Sequence, residues 1–235
     1  MEPTKTKVSP DYALTEARLG FMNGYLVAFL QEMHTRVGEV EGGLYQYYVQ
    51  RYSNLKIGLL LYERHLTHYI DASIFKGARI LHVGIGCGTL TSTLYSLDFN
   101  ITGIEADGMR HKLAVILQER MKALFNSKIG AYDVVNGYFP TVLTTKLAGQ
   151  NFNVLLMTNL GAGLSDDVQS AIVALFPNFG HVILDLRLFG RTRESGEERA
   201  ALGALIAATN PREIRSLAMG GPGIQTGTDY VHVMY

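Results

Sequence analysis

The chain has 235 residues, 47% of them hydrophobic and 18% charged, with Lys+Arg and Asp+Glu equal at 21 each. That balance predicts no nucleic-acid or anionic-membrane partner. The single cysteine, Cys87, excludes an internal disulfide framework and a multi-cysteine zinc site. The polar start "MEPTKTKVSPDY" has no apolar signal-peptide core, and runs such as "IGLLLY" fall far short of the ~20 residues needed to cross a bilayer. A cytoplasmic location with no membrane partner is therefore expected.

Residues 1–76 read as a helical extension. Leu19, Met22, Leu26, Phe29, Leu30 and Met33 recur at three- and four-residue spacings, the pattern of one buried helix face. A second helical pattern runs from Asn54 to Asp71. Between them lies "EGGLYQYYVQRYSN", and eight of the 13 tyrosines precede Gly77. Such a cluster suits a half-buried packing surface; it equally suits an aromatic lid that shields a cationic reaction centre. His65 and His68 stand at i, i+3 in "ERHLTHY", but no third ligand accompanies them, so no metal site is expected.

From Gly77 the texture changes to alternating strands and helices. "ARILHVG", "NITGIEA", "IGAYDVVNG", "NFNVLLMTN" and "HVILDLRLF" read as strands; "TLTSTLYSLD", "MRHKLAVILQERMKALF", "FPTVLTTKLAG", "SDDVQSAIVALF" and "ESGEERAALGALIAATN" read as helices. Asp166 and Asp167 are expected to cap the helix that follows them. The chain closes with "PREIRSLAM" and "DYVHVMY", joined by a glycine-rich link with no helix between, which predicts an antiparallel pair. The expected architecture is an α/β domain over 77–235: a mostly parallel, doubly wound, seven-stranded sheet with a terminal antiparallel strand.

The stretch "LHVGIGCGTLT" carries the chemistry. Gly84, Gly86 and Gly88 remove side chains where the backbone turns from strand to helix and a ligand can approach closely. Thr89 stands where a dinucleotide fingerprint needs its third glycine, and no G-K-[ST] ending marks a P-loop. The spacing instead resembles motif I of class I S-adenosylmethionine-dependent methyltransferases, hh(D/E)hGxGxGxLT. Farther on, "ITGIEAD" supplies an acidic residue at the second strand end, "VVNGYF" aligns with the family's hhxGDA, and "NFNVLLMTN" resembles its fourth-strand element. The resemblance spans Gly77 to Tyr235. His82 stands at the family's motif I acid, Tyr138 and Asn153 replace two aspartates, and no D/N-P-P-Y/F motif follows the fourth strand.

The resemblance implies S-adenosyl-L-methionine as cofactor, held by His82, Gly84, Gly86, Gly88, Glu105, Ala106, Asp107, Gly137, Tyr138 and Asn159. Glu105 would bond the ribose hydroxyls, and Ala106 and Asp107 would pass beside the adenine. It implies methyl transfer to a small molecule, with Tyr48, Tyr52, His65 and Asn159 as acceptor-pocket candidates. An aminopropyl or aminocarboxypropyl transferase on the same fold stays open because of His82. A non-catalytic binding or scaffold protein with a degenerate site stays open too, as does a homo-oligomer.

Overall fold

In a computed structural model the described residues are 10–37, 77–125, 130–157, 165–185, 196–218 and 229–235. The chain clusters into two compact units, residues 1–67 and 68–235. In the first, helix α1 runs Pro10–Val37, and Leu19, Met22, Leu26, Phe29, Leu30 and Met33 are all buried, the face that their spacing marks. Phe21 and Tyr25, one turn apart, stack with ring centroids 6.0 Å apart. No helix among the described residues is long and apolar enough to cross a membrane.

In the second unit the elements alternate: β1 (Arg79–Val83), α2 (Thr89–Ser96), β2 (Asn100–Glu105), α3 (Gly108–Phe125), β3 (Tyr132–Asn136), α4 (Thr141–Thr145), β4 (Val154–Met157), α5 (Asp166–Val173), β5 (His181–Asp185), α6 (Gly196–Ala207), β6 (Glu213–Ala218) and β7 (Asp229–Met234). They form one seven-stranded sheet of order β3-β2-β1-β4-β5-β7-β6. Strands β1 to β5 pair in parallel, and β7 inserts between β5 and β6, antiparallel to both. The sequence predicts the antiparallel hairpin; its insertion, with the last strand inside the penultimate one, is a property of the fold.

The inner strands of a parallel sheet are covered on both faces, so β4, "VLLM", is apolar and buried throughout, whereas the edge strand β3, "YDVVN", is only partly buried. One face buries Leu81, Val83, Ile104, Leu155, Met157, Val182, Leu184, Val231 and Val233 in a core with Val142 of α4, Ile172 and Val173 of α5, and Leu202 and Ile206 of α6. On the opposite face α2 and α3 lie over β1 to β3. Helix α2 is rich in Ser and Thr, yet all eight of its residues are buried. Two of its hydroxyls bond to carbonyls of the helix itself, Thr93 to Thr89 O at 3.0 Å and Ser96 to Thr93 O at 2.6 Å, which satisfies them without water. Gly103 of β2 leaves room for the Ile85 side chain of the turn after β1: a Cβ there would stand 2.7 Å from Ile85 Cδ1.

The chain starts at β1, winds outward through β2 and β3, then crosses back to β4 on the other side of β1. In open α/β sheets ligands bind outside the carboxyl ends of the strands at such a reversal. Here the reversal falls between β1 and β4.

Asp166 and Asp167 differ from expectation. They occupy the first turn of α5, and the residue before the helix is Ser165, which makes no side-chain cap bond. Ser165 holds the extended backbone of a cap position, so the aspartates act on the helix through charge near its N-terminus.

Candidate functional site

The turn after β1 has left-handed backbone at Gly84, Gly86 and Gly88, with φ of +71°, +59° and +80°. Side chains pay heavily for that conformation, so glycine at all three positions follows from the geometry. The turn is tied to β2: Gly84 N and Ile85 N both donate to Ile104 O, at 2.9 and 3.1 Å. Gly88 is the N-cap of α2, which has no side-chain cap bond and no acidic residue in its first turn. The leading N–H groups of such a helix have no partner within it and favour an anionic group.

Glu105, the last residue of β2, is only 6% exposed, and its carboxylate joins two turns. Oε2 accepts from Gly86 N at 2.7 Å, and Oε1 accepts from Asp107 N at 2.9 Å. Each oxygen still has a second lone pair to offer a ligand hydroxyl. Asp107 in turn caps α3: Oδ1 accepts from Met109 N at 3.0 Å and from Arg110 N at 2.8 Å. That oxygen is committed to the helix cap.

From β3, Gly137 N donates to Glu105 O at 3.1 Å, and a Cβ on Gly137 would stand 3.0 Å from Val142. Asn136 Nδ2 donates to Glu105 O at 2.9 Å and reaches Ala106 O at 3.4 Å. Lys146 Nζ donates to Asn136 O at 2.6 Å. His111 on α3 is held below the usual imidazole range by partial burial and by Lys146, against an opposing pull from Glu105. Tyr138, the next residue after Gly137, is 74% exposed.

His82 is buried in β1, with Nδ1 2.9 Å from Thr91 Oγ1 of α2. Burial pushes its imidazole down to about 3, so the ring is neutral near pH 7. A neutral ring does not repel a ligand ammonium, as an imidazolium would. Cys87 is buried within the turn.

Of the residues that the sequence points to, Gly84, Gly86, Glu105, Asp107 and Gly137 meet in one hydrogen-bonded set, with Ala106 inside it. Gly88 starts the helix beside them, His82 lies beneath the turn against Thr91, and Tyr138 stands at its rim. Tyr48, Tyr52, His65 and Asn159 lie outside the described residues. Asn136 is absent from the sequence reading. Its signal was there, since Asn is depleted in strands and here ends one between Val135 and Gly137. Asn153, read as a replaced aspartate, accepts from Arg79 N at 2.9 Å and so anchors the start of β1. Among the described residues no group of three His, Cys, Asp or Glu side chains could hold a metal ion.

A mostly parallel seven-stranded sheet with the last strand inserted antiparallel beside β5 is the α/β fold that solved methyltransferase structures share. No family model matches the sequence, and no curated protein matches it. Solved structures do. The chain is similar to a SAM-dependent methyltransferase from Archaeoglobus fulgidus, at 12% identity over 80% of this chain and 100% of that one, with a TM-score of 0.55. It is similar to magnesium protoporphyrin IX methyltransferase from Synechocystis PCC 6803 with bound SAH, at 12% identity over 74% of this chain and 84% of that one, TM-score 0.53. The methyltransferase domain of the bacterial protein CtHen1 gives 15% identity over 74% and 98%, TM-score 0.52. At these identities the likeness establishes the fold.

Proposed function

We propose that the chain binds S-adenosyl-L-methionine at the carboxyl ends of β1, β2 and β3 and is a methyltransferase acting on a small molecule. The observation that carries this reading is the Glu105 carboxylate, buried between two turns with acceptor capacity to spare, beside the open N-terminus of α2. The residues fit the group. Glu105 would take the ribose hydroxyls, the backbone of Ala106 and Asp107 would flank the adenine, and the first turn of α2 suits a carboxylate. Tyr138 would close the rim.

When bound, S-adenosylmethionine supplies a methyl group already activated on a sulfonium. The chain therefore has to position the acceptor, at about 3–3.5 Å and in line, and to exclude water. A base is needed only for an acceptor that must lose a proton. Tyr48, Tyr52, His65 and Asn159 are the residues proposed for the acceptor pocket.

Calorimetry with S-adenosylhomocysteine tests the cofactor: binding to the wild type that is lost in Glu105→Ala supports it, and no heat at high concentration favours a scaffold. Product analysis tests the transfer. S-Adenosylhomocysteine supports methyl transfer, whereas methylthioadenosine would move the assignment to an aminopropyl or aminocarboxypropyl transferase, the reading that a neutral His82 in place of an acid favours.

A further inference from the structure

Strand β2 leaves the sheet at Glu105, and the next two residues must turn into α3 while the Glu105 carboxylate stays aimed at the turn after β1. The segment's own side chains contribute four bonds, Glu105 to Gly86 N and Asp107 N, and Asp107 to Met109 N and Arg110 N. The neighbouring strand adds Gly137 N, which donates to Glu105 O, and the Asn136 side chain. Asn136 is the register partner of Glu105, and its carboxamide reaches over two successive carbonyls, Glu105 O and Ala106 O. Ala106 O lies past the end of the strand ladder, and the Asn136 side chain supplies it with a donor. Lys146 holds the Asn136 backbone from the other side, through its carbonyl.

Resting on the cofactor reading above, we infer that Asn136 is a positioning residue for the adenosyl part of the ligand: its amide fixes the Glu105–Asp107 segment that would face the ribose and adenine. The chemistry is specific to a primary amide. Two carbonyl acceptors require a donor with two N–H bonds. A carboxylate of the same shape would set an oxygen against the two carbonyl oxygens, and alanine would remove this donor from both, leaving Glu105 O with Gly137 N.

The test compares wild type, Asn136→Asp and Asn136→Ala by calorimetry with S-adenosylhomocysteine and with 5′-methylthioadenosine, which shares the adenosine but lacks the amino-acid end. Losing a hydrogen-bonded support of this kind corresponds to about a tenfold change in affinity or more. Asn136→Asp is expected to weaken both ligands by about the same factor while the free protein still melts cooperatively. Asn136→Ala should do the same to a smaller degree, and it carries the test should the aspartate variant not fold. Amide hydrogen exchange in the free protein gives a second readout: the Asp107 N–H, held by Glu105, should exchange about tenfold faster in the variants. Folded variants that bind both ligands as tightly as wild type, or an unchanged Asp107 exchange rate, would overturn the inference. A wild type that binds neither ligand would instead overturn the cofactor reading, and the exchange measurement would still decide whether Asn136 holds the segment.

Discussion

The carboxylate of Glu105 accepts the backbone N–H of Gly86 at 2.7 Å, across 19 positions of sequence, and so locks the turn after β1 to the end of β2. An aspartate would be one methylene too short to reach Gly86 N while also bonding Asp107 N. A glutamine would keep the length but turn an N–H₂ toward one of two N–H donors. Glu105→Gln is therefore expected to cost about 1–3 kcal/mol, the usual loss when a buried donor is left unpaired. Urea denaturation of the free protein measures it; a midpoint equal to wild type would refute the paired hydrogen bonds.

His82 sets a pH dependence. Its folded-state value is depressed to about 3, below the unfolded value near 6.5, so the unfolded chain takes up a proton that the folded chain refuses. Stability is therefore full above pH 6.5 and falls as pH drops toward 3, by about 1.4 kcal/mol per unit from this group. His232, depressed to about 4 by burial, works in the same direction and remains in a variant of His82. Between pH 7 and pH 5, His82→Gln should lose roughly 2 kcal/mol less than wild type, read from denaturation curves at the two pH values. Parallel curves would count against a buried neutral imidazole.

Gly88→Ala combines backbone strain with crowding. The residue has φ of +80°, and a Cβ would lie 3.2 Å from Tyr132 Oη and 3.3 Å from Ala114 Cβ. A loss of about 1–3 kcal/mol is expected. Tyr132→Phe removes the nearest contact, along with the 3.0 Å bond between Tyr132 Oη and Ser92 Oγ. In that background Gly88→Ala should cost less than alone, leaving chiefly the strain, and a double-mutant cycle measures the coupling. Strict additivity would mean that the tyrosine does not crowd the turn.

Gly203→Ala should do the reverse. It lies inside α6, where an added Cβ meets nothing within 4 Å, and alanine removes unfolded-chain entropy. A gain of about 0.5–1 kcal/mol in thermal or urea stability is expected. A loss would show that this face of α6 is not open.

Much of this is legible in the sequence because it depends on local pattern. Apolar runs such as "RILHV" mark strands buried on both faces, and the spacing from Leu19 to Met33 marks the buried face of α1. The three glycines are legible for the same reason: a tight strand-to-helix turn demands them wherever it occurs. What stays hidden depends on register. Asn136 matters because β3 pairs with β2 so that Glu105 is its neighbour, and no spacing along the chain encodes that. Glu105 can be read as a ribose acid, but its bond to Gly86 requires two turns to meet in space. The aspartates that open α5 mislead because Asp and Ser are both good caps, and a one-residue difference in helix start decides between them.

The inserted position of β7 bears on how the molecule is made. Strand β6 touches the sheet only through β7, which hydrogen-bonds to β5 on one side and β6 on the other. During synthesis residues 213–218 therefore emerge with no strand to pair with and must wait for residues 229–234. The edge of the sheet closes in the reverse of its order of translation, and a ribosome paused between the two strands would hold a half-finished edge open to other chains.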